Sequence, residues 1–262
     1  MKQIVLPRTD LSVSRFSFGT GSLVRILSPQ DRQRMLFAAA DAGFTHFDTS
    51  PYYGFGVAER ELGALLAARP ALTVATKAGL YSPGGENASN AAIILRKAAG
   101  KIFPALTRPI VDLSVARARA SLDASLKRLR RERVDLFFLH EPEVALVQTD
   151  EWLRWLEAED RVRHFGIALA TSRLKAFLDA DHPLARVVQT QDSLEAREAD
   201  VLAAHGRPMQ LTYGYLSSRN AAGRADATST LAAALARNAA GSIVVSTTRL
   251  PRLQQYLNVS NA

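Results

Sequence analysis

Four residues in this sequence, Asp48, Tyr53, Lys77 and His140, are of the types that together can move a proton onto a carbonyl oxygen. Hydride delivered to a carbonyl carbon leaves negative charge on the oxygen, and a proton must arrive there. A phenol with a pKa of about 10 is a workable but slow acid at neutral pH. An ammonium beside it stabilises the phenolate and lowers that pKa, each unit being worth about 1.4 kcal/mol. A carboxylate beneath holds the ammonium charged and in place, and an imidazole at the rim can orient the carbonyl or share its proton. Each residue alone has a plainer reading: Asp48 a cap, Tyr53 packing, Lys77 a surface lysine, His140 a satisfied histidine. The functional reading rests on all four falling at strand ends in consecutive units.

The elements that must position them are legible in the pattern. Residues 45–63, THFDTSPYYGFGVAERELG, form a short apolar and β-branched run that ends in Asp48. The chain then turns through Pro51 into Tyr52 and Tyr53, loosens at Gly54 and Gly56, and takes up a helical rhythm from Ala58. Lys77 closes the run LTVATK and His140 closes VDLFFLH. Along the chain, strands are expected at 15–19, 44–48, 72–77, 134–139, 163–169, 187–189, 208–212 and 242–245. Each is followed by a helical pattern: from Ser28–Pro29 to Gly43, from about Ala58, and over 114–130, 149–159, 172–179, 195–204, 228–238 and 250–258. Residues 1–14 alternate as a hairpin around Pro7 to Asp10.

Eight strand-then-helix units argue for a closed parallel (β/α)8 barrel, the TIM-barrel architecture, as one domain over 1–262 with the hairpin capping one end. A doubly wound open sheet is the rival, but FGTGS after the first strand lacks the GxGxxG spacing. The segment 79–112 interrupts the alternation with prolines, glycines and one short apolar piece at 91–99. A connection this long after a strand ending in Lys77 is a candidate lid.

The chain has 262 residues, 47% of them hydrophobic and 22% charged, and no cysteine, so disulfides and thiolate metal sites are excluded. No metal-ligand spacing links His164, His182 and His205, and no GxSxG elbow supports a serine hydrolase. There is no membrane-span-length apolar run and no signal-peptide segment at the start, so a cytoplasmic protein is expected. A net charge of +8 suits a phosphorylated small ligand, a nucleic acid or an acidic surface. The densest basic run, KRLRRER at 127–133, closes a helix and has no interleaved aromatics, so it reads as a solvated helix end and no nucleic-acid partner is expected. Trp152 and Trp155 read as core packing, as does His46.

With these residues in view, the sequence resembles the aldo-keto reductases over nearly its whole length. HFDTSPYYGFGVAERELG resembles the family's signature, VATKAG and DLFFLHEPE are similar to the segments supplying its lysine and histidine, and LPRTDLSVSRFSFGTG to its usual opening. The resemblance implies a barrel that binds a nicotinamide cofactor without a Rossmann motif and passes hydride to or from a carbonyl. It implies Tyr53 as general acid–base, Asp48 and Lys77 as its tuning pair and His140 as the group orienting a small carbonyl or alcohol substrate. It carries cofactor contacts onto Gly19, Thr20 and Gly21 of the first loop, onto Asp48, and onto Gln189 for the carboxamide. Tyr213 falls near the stacking position, with Gly214, Leu216 and Ser217 along the pyrophosphate. Thr247, Thr248, Arg249 and Arg252 fall at the adenosine-phosphate clamp, where two arginines at a helix start favour NADP(H) over NAD(H).

The sequence also departs from the family. GIALAT places Ala168 and Leu169 where a Ser–Asn pair usually bonds the carboxamide, and Gln255–Tyr256 stands where an acid–Asn pair is common. The family's C-terminal substrate loop is expected to be short or missing. Substrate selection is then expected from Phe55, Tyr81 and the 79–112 segment. These departures keep open a cofactor-binding regulatory or redox-sensing protein of the same fold with little turnover. A basic nucleic-acid module is a remoter alternative, and the oligomeric state is left open.

Overall fold

The computed structural model describes residues 1–87, 95–96, 99–100, 103–217 and 226–262. Two short strands, β1 (Gln3–Val5) and β2 (Ser12–Ser14), pair antiparallel as the expected hairpin. Eight parallel strands then close a barrel: β3 (Phe16–Gly19), β4 (His46–Asp48), β5 (Thr73–Ala78), β8 (Val134–His140), β9 (Val162–Leu169), β10 (Val187–Gln191), β11 (Leu211–Tyr213) and β12 (Ser242–Val245). Between β5 and β8 a two-stranded ribbon, β6 (Leu80–Tyr81) with β7 (Ile110–Val111), stands outside the barrel. That ribbon was not expected from sequence. The apolar piece expected at 91–99 falls largely outside the described residues, so the lid expectation stands without further support.

The helices are α1 (Pro29–Asp41), α2 (Val57–Ala68), α3 (Val115–Leu129), α4 (Thr149–Ala158), α5 (Thr171–Asp179), α6 (Asp200–Ala204), α7 (Ala227–Arg237) and α8 (Pro251–Asn261). Their starts follow from local chemistry. Ser28 Oγ accepts the Asp31 N–H at 3.2 Å, with Pro29 at the first helical position. In α4, Trp152, Trp155 and Leu156 fall at i, i+3 and i+4 and bury one face against the barrel, as the sequence pattern required. The helix expected over 195–204 shrinks to α6 because Ser193 Oγ and Asp192 Oδ1 capture the N–H groups of Ala196 and Ala199. Such side-chain bonds compete with helix formation. β11 starts later than expected because the Gln210 side chain bonds Val188 N–H and Arg207 donates to the Ala185 carbonyl.

Strand alternation splits the apolar residues into two cores. Outward residues such as Phe18, Phe47, Phe137 and Ile167 pack under the helices. Inward residues Ala75, Leu136, Phe138, Ala168, Val187 and Leu211 fill the barrel, and Leu6, Leu11 and Val13 of the hairpin join them. Each fully buried large apolar side chain is worth roughly 1.5–3 kcal/mol. Two steps along the same inward series, β5 runs from Ala75 to Lys77, β8 from Phe138 to His140, and β10 from Val187 to Gln189. The polar residues are thus the top layer of a stack whose lower layers are hydrocarbon.

The basic run at 127–133 is less solvated than the sequence implies. Arg128 is buried and bonds Glu59 at 2.7 Å, while Arg131 donates to the carbonyls of Pro70 and Leu72. Among the described residues, no helix is long and apolar enough to cross a membrane.

Candidate active site

A cavity of about 240 Å³ opens at the strand C-termini. Asp48, Lys77, His140 and Gln189 reach it from β4, β5, β8 and β10, and Tyr53 folds over it from the loop after β4. The neighbours in register explain the convergence: Asp48 lies opposite Gly19 and Ala75, and Ala168 lies opposite both His140 and Gln189. Small residues at 19, 75 and 168 leave the space that the long polar side chains enter. The loop carrying Tyr53 ends at Gly56, whose φ of +82° sets the entry to α2. A side chain there would also strike the Glu86 carbonyl.

Lys77 is 2% exposed and completely bonded: its Nζ donates to both carboxylate oxygens of Asp48 at 2.7 Å and to the Thr49 carbonyl at 2.8 Å. Asp48 Oδ2 also accepts Gln189 Nε2 at 2.9 Å. Since a carboxylate can only accept there, that bond fixes the orientation of the Gln189 amide. Its carbonyl oxygen has no hydrogen-bond partner among the described residues, which leaves an acceptor at the cavity wall. The Lys77 ammonium lies 5.0 Å from the centre of the Tyr53 ring, and the His140 ring meets the same ring edge-on at 6.1 Å. Ser50 Oγ approaches His140 Nδ1 at 3.4 Å.

Electrostatics corrects one expectation. Burial, followed by the negative charges of Asp48 and Glu141, pushes the Tyr53 phenol well above its usual value, so Lys77 does not lower it on balance. The reason is that Lys77 faces two oxygens of Asp48 at contact distance, and the pair presents little net positive charge to the ring. Burial lowers the Lys77 pKa, opposed by the charge and hydrogen bond of Asp48. Burial and then the Lys77 charge hold His140 well below 6.5, so its imidazole is neutral at pH 7.

Of the remaining residues singled out in the sequence, Gly19, Gly21, Tyr213, Gly214 and Ser217 line the cavity. Thr20 does not: it is fully buried, and its hydroxyl bonds the Asp48 carbonyl at 3.0 Å, pinning the strand end. Leu216 packs against the outer core. Thr247, Thr248, Arg249 and Arg252 lie beyond the cavity at the start of α8, where Thr247 Oγ1 accepts the Arg249 N–H at 3.0 Å and both arginines are exposed. Phe55 and Tyr81 are not brought to the cavity: Phe55 is buried beside Val57 and Val24, and Tyr81 lies under the Arg117 guanidinium. The Gln255–Tyr256 departure has a structural cause, since Tyr256 is buried against Phe16 and Phe44.

Sequence reasoning missed Glu141, Val244, Val245 and Ser246, which also line the cavity. Each sits at or just past a strand end, and that position was the signal available. The donor set fits a flat ring amide: Gln189 supplies a free acceptor, Tyr213 an aromatic face, and Gly19 and Gly214 a wall without side chains. A Cβ at Gly19 would come within 2.9 Å of Val244, and Gly214, at φ +110°, passes close to Asp192.

The aldo/keto reductase family profile matches residues 15–196. D-threo-aldose 1-dehydrogenase of a Pseudomonas species is 33% identical over 208 residues, which cover 74% of this chain and 62% of the relative. The chain thus spans less than two thirds of that relative's length. An aldo-keto reductase of Bacillus halodurans, solved in its holo form, superposes over 100% of this chain and 91% of its own, with a TM-score of 0.77 at 19% identity. An aldo-keto reductase of Klebsiella pneumoniae, solved in complex with NADPH, covers 100% of this chain and 90% of its own, with a TM-score of 0.67 at 17% identity. At these identities the two structural likenesses bear on the fold alone.

Proposed function

The chain belongs to the aldo/keto reductase family, and on that premise we propose that it interconverts carbonyls and alcohols with a nicotinamide cofactor, using Tyr53 as proton donor and acceptor. One observation carries this reading: a buried ammonium, held by both oxygens of a buried carboxylate, lies under a phenol that shares an open cavity with a neutral imidazole. A structural ion pair would not need the phenol, the imidazole or the cavity.

Each group has a task that follows from its state. Tyr53 is protonated at pH 7, so it enters carbonyl reduction as a proton donor. His140, neutral and at the cavity wall, can donate a hydrogen bond to the carbonyl oxygen without competing as an acid. Lys77 and Asp48 lie ready as the phenolate forms, and their mutual bonds keep the geometry fixed through the proton transfer. A nicotinamide, when bound, supplies or takes the hydride. Gln189 and Tyr213 would hold its ring, Ser217 would lie along its phosphates, and Arg249 and Arg252 would take the phosphate that distinguishes NADP(H) from NAD(H). The name of the Pseudomonas relative points to aldoses among the small aldehydes, ketones and sugars considered.

The test is turnover of an aldehyde and sugar panel with either cofactor, against a Tyr53→Phe control. The variant should bind cofactor normally and lose about 10²–10⁴-fold in turnover. An unchanged rate in Tyr53→Phe would refute the assignment. The apolar Ala168 and Leu169 favour the second reading, a cofactor-binding regulator; binding without any Tyr53-dependent turnover would select it.

A further inference from the structure

Glu141 follows His140 directly, lines the same cavity, and has no part in the proton transfer described above. Its backbone is held in the left-handed region at φ +54°, a conformation that a residue with a side chain adopts only when its surroundings enforce it. Those surroundings are explicit. The Glu141 N–H donates to the Ala168 carbonyl at 2.8 Å, and its own carbonyl accepts Arg173 Nη1 at 3.0 Å. Glu141 Oε2 accepts the Ala170 N–H at 3.1 Å, which fixes the carboxylate above the end of β9. That is the strand end where Ala168 presents only a methyl to the cavity and Leu169 turns into the outer core.

The charge balance there is uneven. Around the cavity, Lys77 is matched by Asp48 and His140 is neutral, so among the described residues no further cation lines the cavity to match Glu141. Among the described residues its cationic partner is Arg173, which is 43% exposed, stands 3.4 Å from Oε2, and is shared with Glu143 at 3.4 Å. One solvated cation thus serves two carboxylates.

We propose that Glu141 selects the redox state of the cofactor: its carboxylate replaces the polar pair missing from β9 as an acceptor for the nicotinamide carboxamide, and its charge favours the oxidised, positive ring over the reduced, neutral one. The proposal rests on the nicotinamide-dependent function above. The raised pKa of the Tyr53 phenol, to which Glu141 contributes, is consistent with a cavity that carries excess negative charge.

The test measures dissociation constants of NADP+ and NADPH separately, by calorimetry and by cofactor fluorescence, for the wild type, Glu141→Gln and Arg173→Gln. Glu141→Gln should weaken NADP+ binding about tenfold, equivalent to about 1.4 kcal/mol, while NADPH changes far less. Arg173→Gln removes the partial neutralisation and should shift the ratio the opposite way. Equal weakening of both forms in Glu141→Gln, or no change in either, would overturn the proposal and leave Glu141 a structural tie. If Glu141→Gln fails to fold, the sign of the Arg173→Gln shift decides. A wild type that binds neither cofactor form would instead defeat the nicotinamide reading itself, a separate and distinguishable failure.

Discussion

Replacing Lys77 by Met removes a buried cation and leaves the Asp48 carboxylate, 3% exposed, with Gln189 Nε2 as its remaining side-chain donor. It also strips the Thr49 carbonyl of the Lys77 ammonium. Breaking a buried ion pair from one side costs about 3–5 kcal/mol, because the surviving charge is neither solvated nor paired. Asp48→Asn alone should cost a comparable amount by isolating the ammonium. The double variant Lys77→Met, Asp48→Asn leaves no charge at those two positions, and Gln189 can still donate to the new amide oxygen. It should therefore recover most of the loss, so that the double variant falls about 4 kcal/mol or more short of the sum of the two single losses in a double-mutant cycle. Urea unfolding at pH 7 measures all four proteins, and a turnover assay accompanies it. The expected signature is dissociation of the two readouts, with stability largely restored in the double variant and turnover still absent. Additive losses, or a Lys77→Met protein within about 1 kcal/mol of wild type, would show that the pair is not the buried unit described here.

Other outcomes follow from single sites. Gly63→Ala in α2 gains up to about 1 kcal/mol in helix propensity. Its Cβ would nevertheless stand 2.2 Å from the Arg128 carbonyl of α3, so a net loss of about 1–3 kcal/mol is expected in thermal or urea unfolding, and a stabilised variant would refute the packing argument. His46 is fully buried, and burial holds it at about 4, below the 6.5 of an unfolded histidine. The unfolded chain then binds more protons below pH 6.5, so stability is flat above that value and falls on acidification toward pH 4, by up to about 1.4 kcal/mol per pH unit. His46→Gln should flatten the change in urea midpoint between pH 7 and pH 5, and an identical slope in the variant would refute this cause. Alanine at both Arg249 and Arg252 should weaken NADP(H) binding more than NAD(H) binding, as competitive titrations would read; equal losses would remove the phosphate assignment.

The sequence by itself determined the barrel and the membership of the polar layer at its strand C-termini. Short apolar runs ending in Asp48, Lys77 and His140 specify strands of a parallel sheet, and parallel strands put all those ends on one face. Gly19, Gln189, Tyr213 and Gly214, singled out through the family resemblance, also line the cavity. What it could not give was direction and compensation. Whether Lys77 acidifies Tyr53 depends on how much of its charge Asp48 cancels, a quantity set by two 2.7 Å contacts across 29 residues of chain. Phe55 and Tyr81 were expected to select substrate because the C-terminal loop looked short, but neither lines the cavity: Phe55 packs beside Val57 and Val24, and Tyr81, in β6, lies under the Arg117 guanidinium. Glu141 went unnoticed beside His140 because its place in the cavity depends on a left-handed backbone and a bond to Ala170, just past the neighbouring strand β9. Local pattern fixes which residues share a layer; only long-range contacts decide which charges in that layer remain unbalanced.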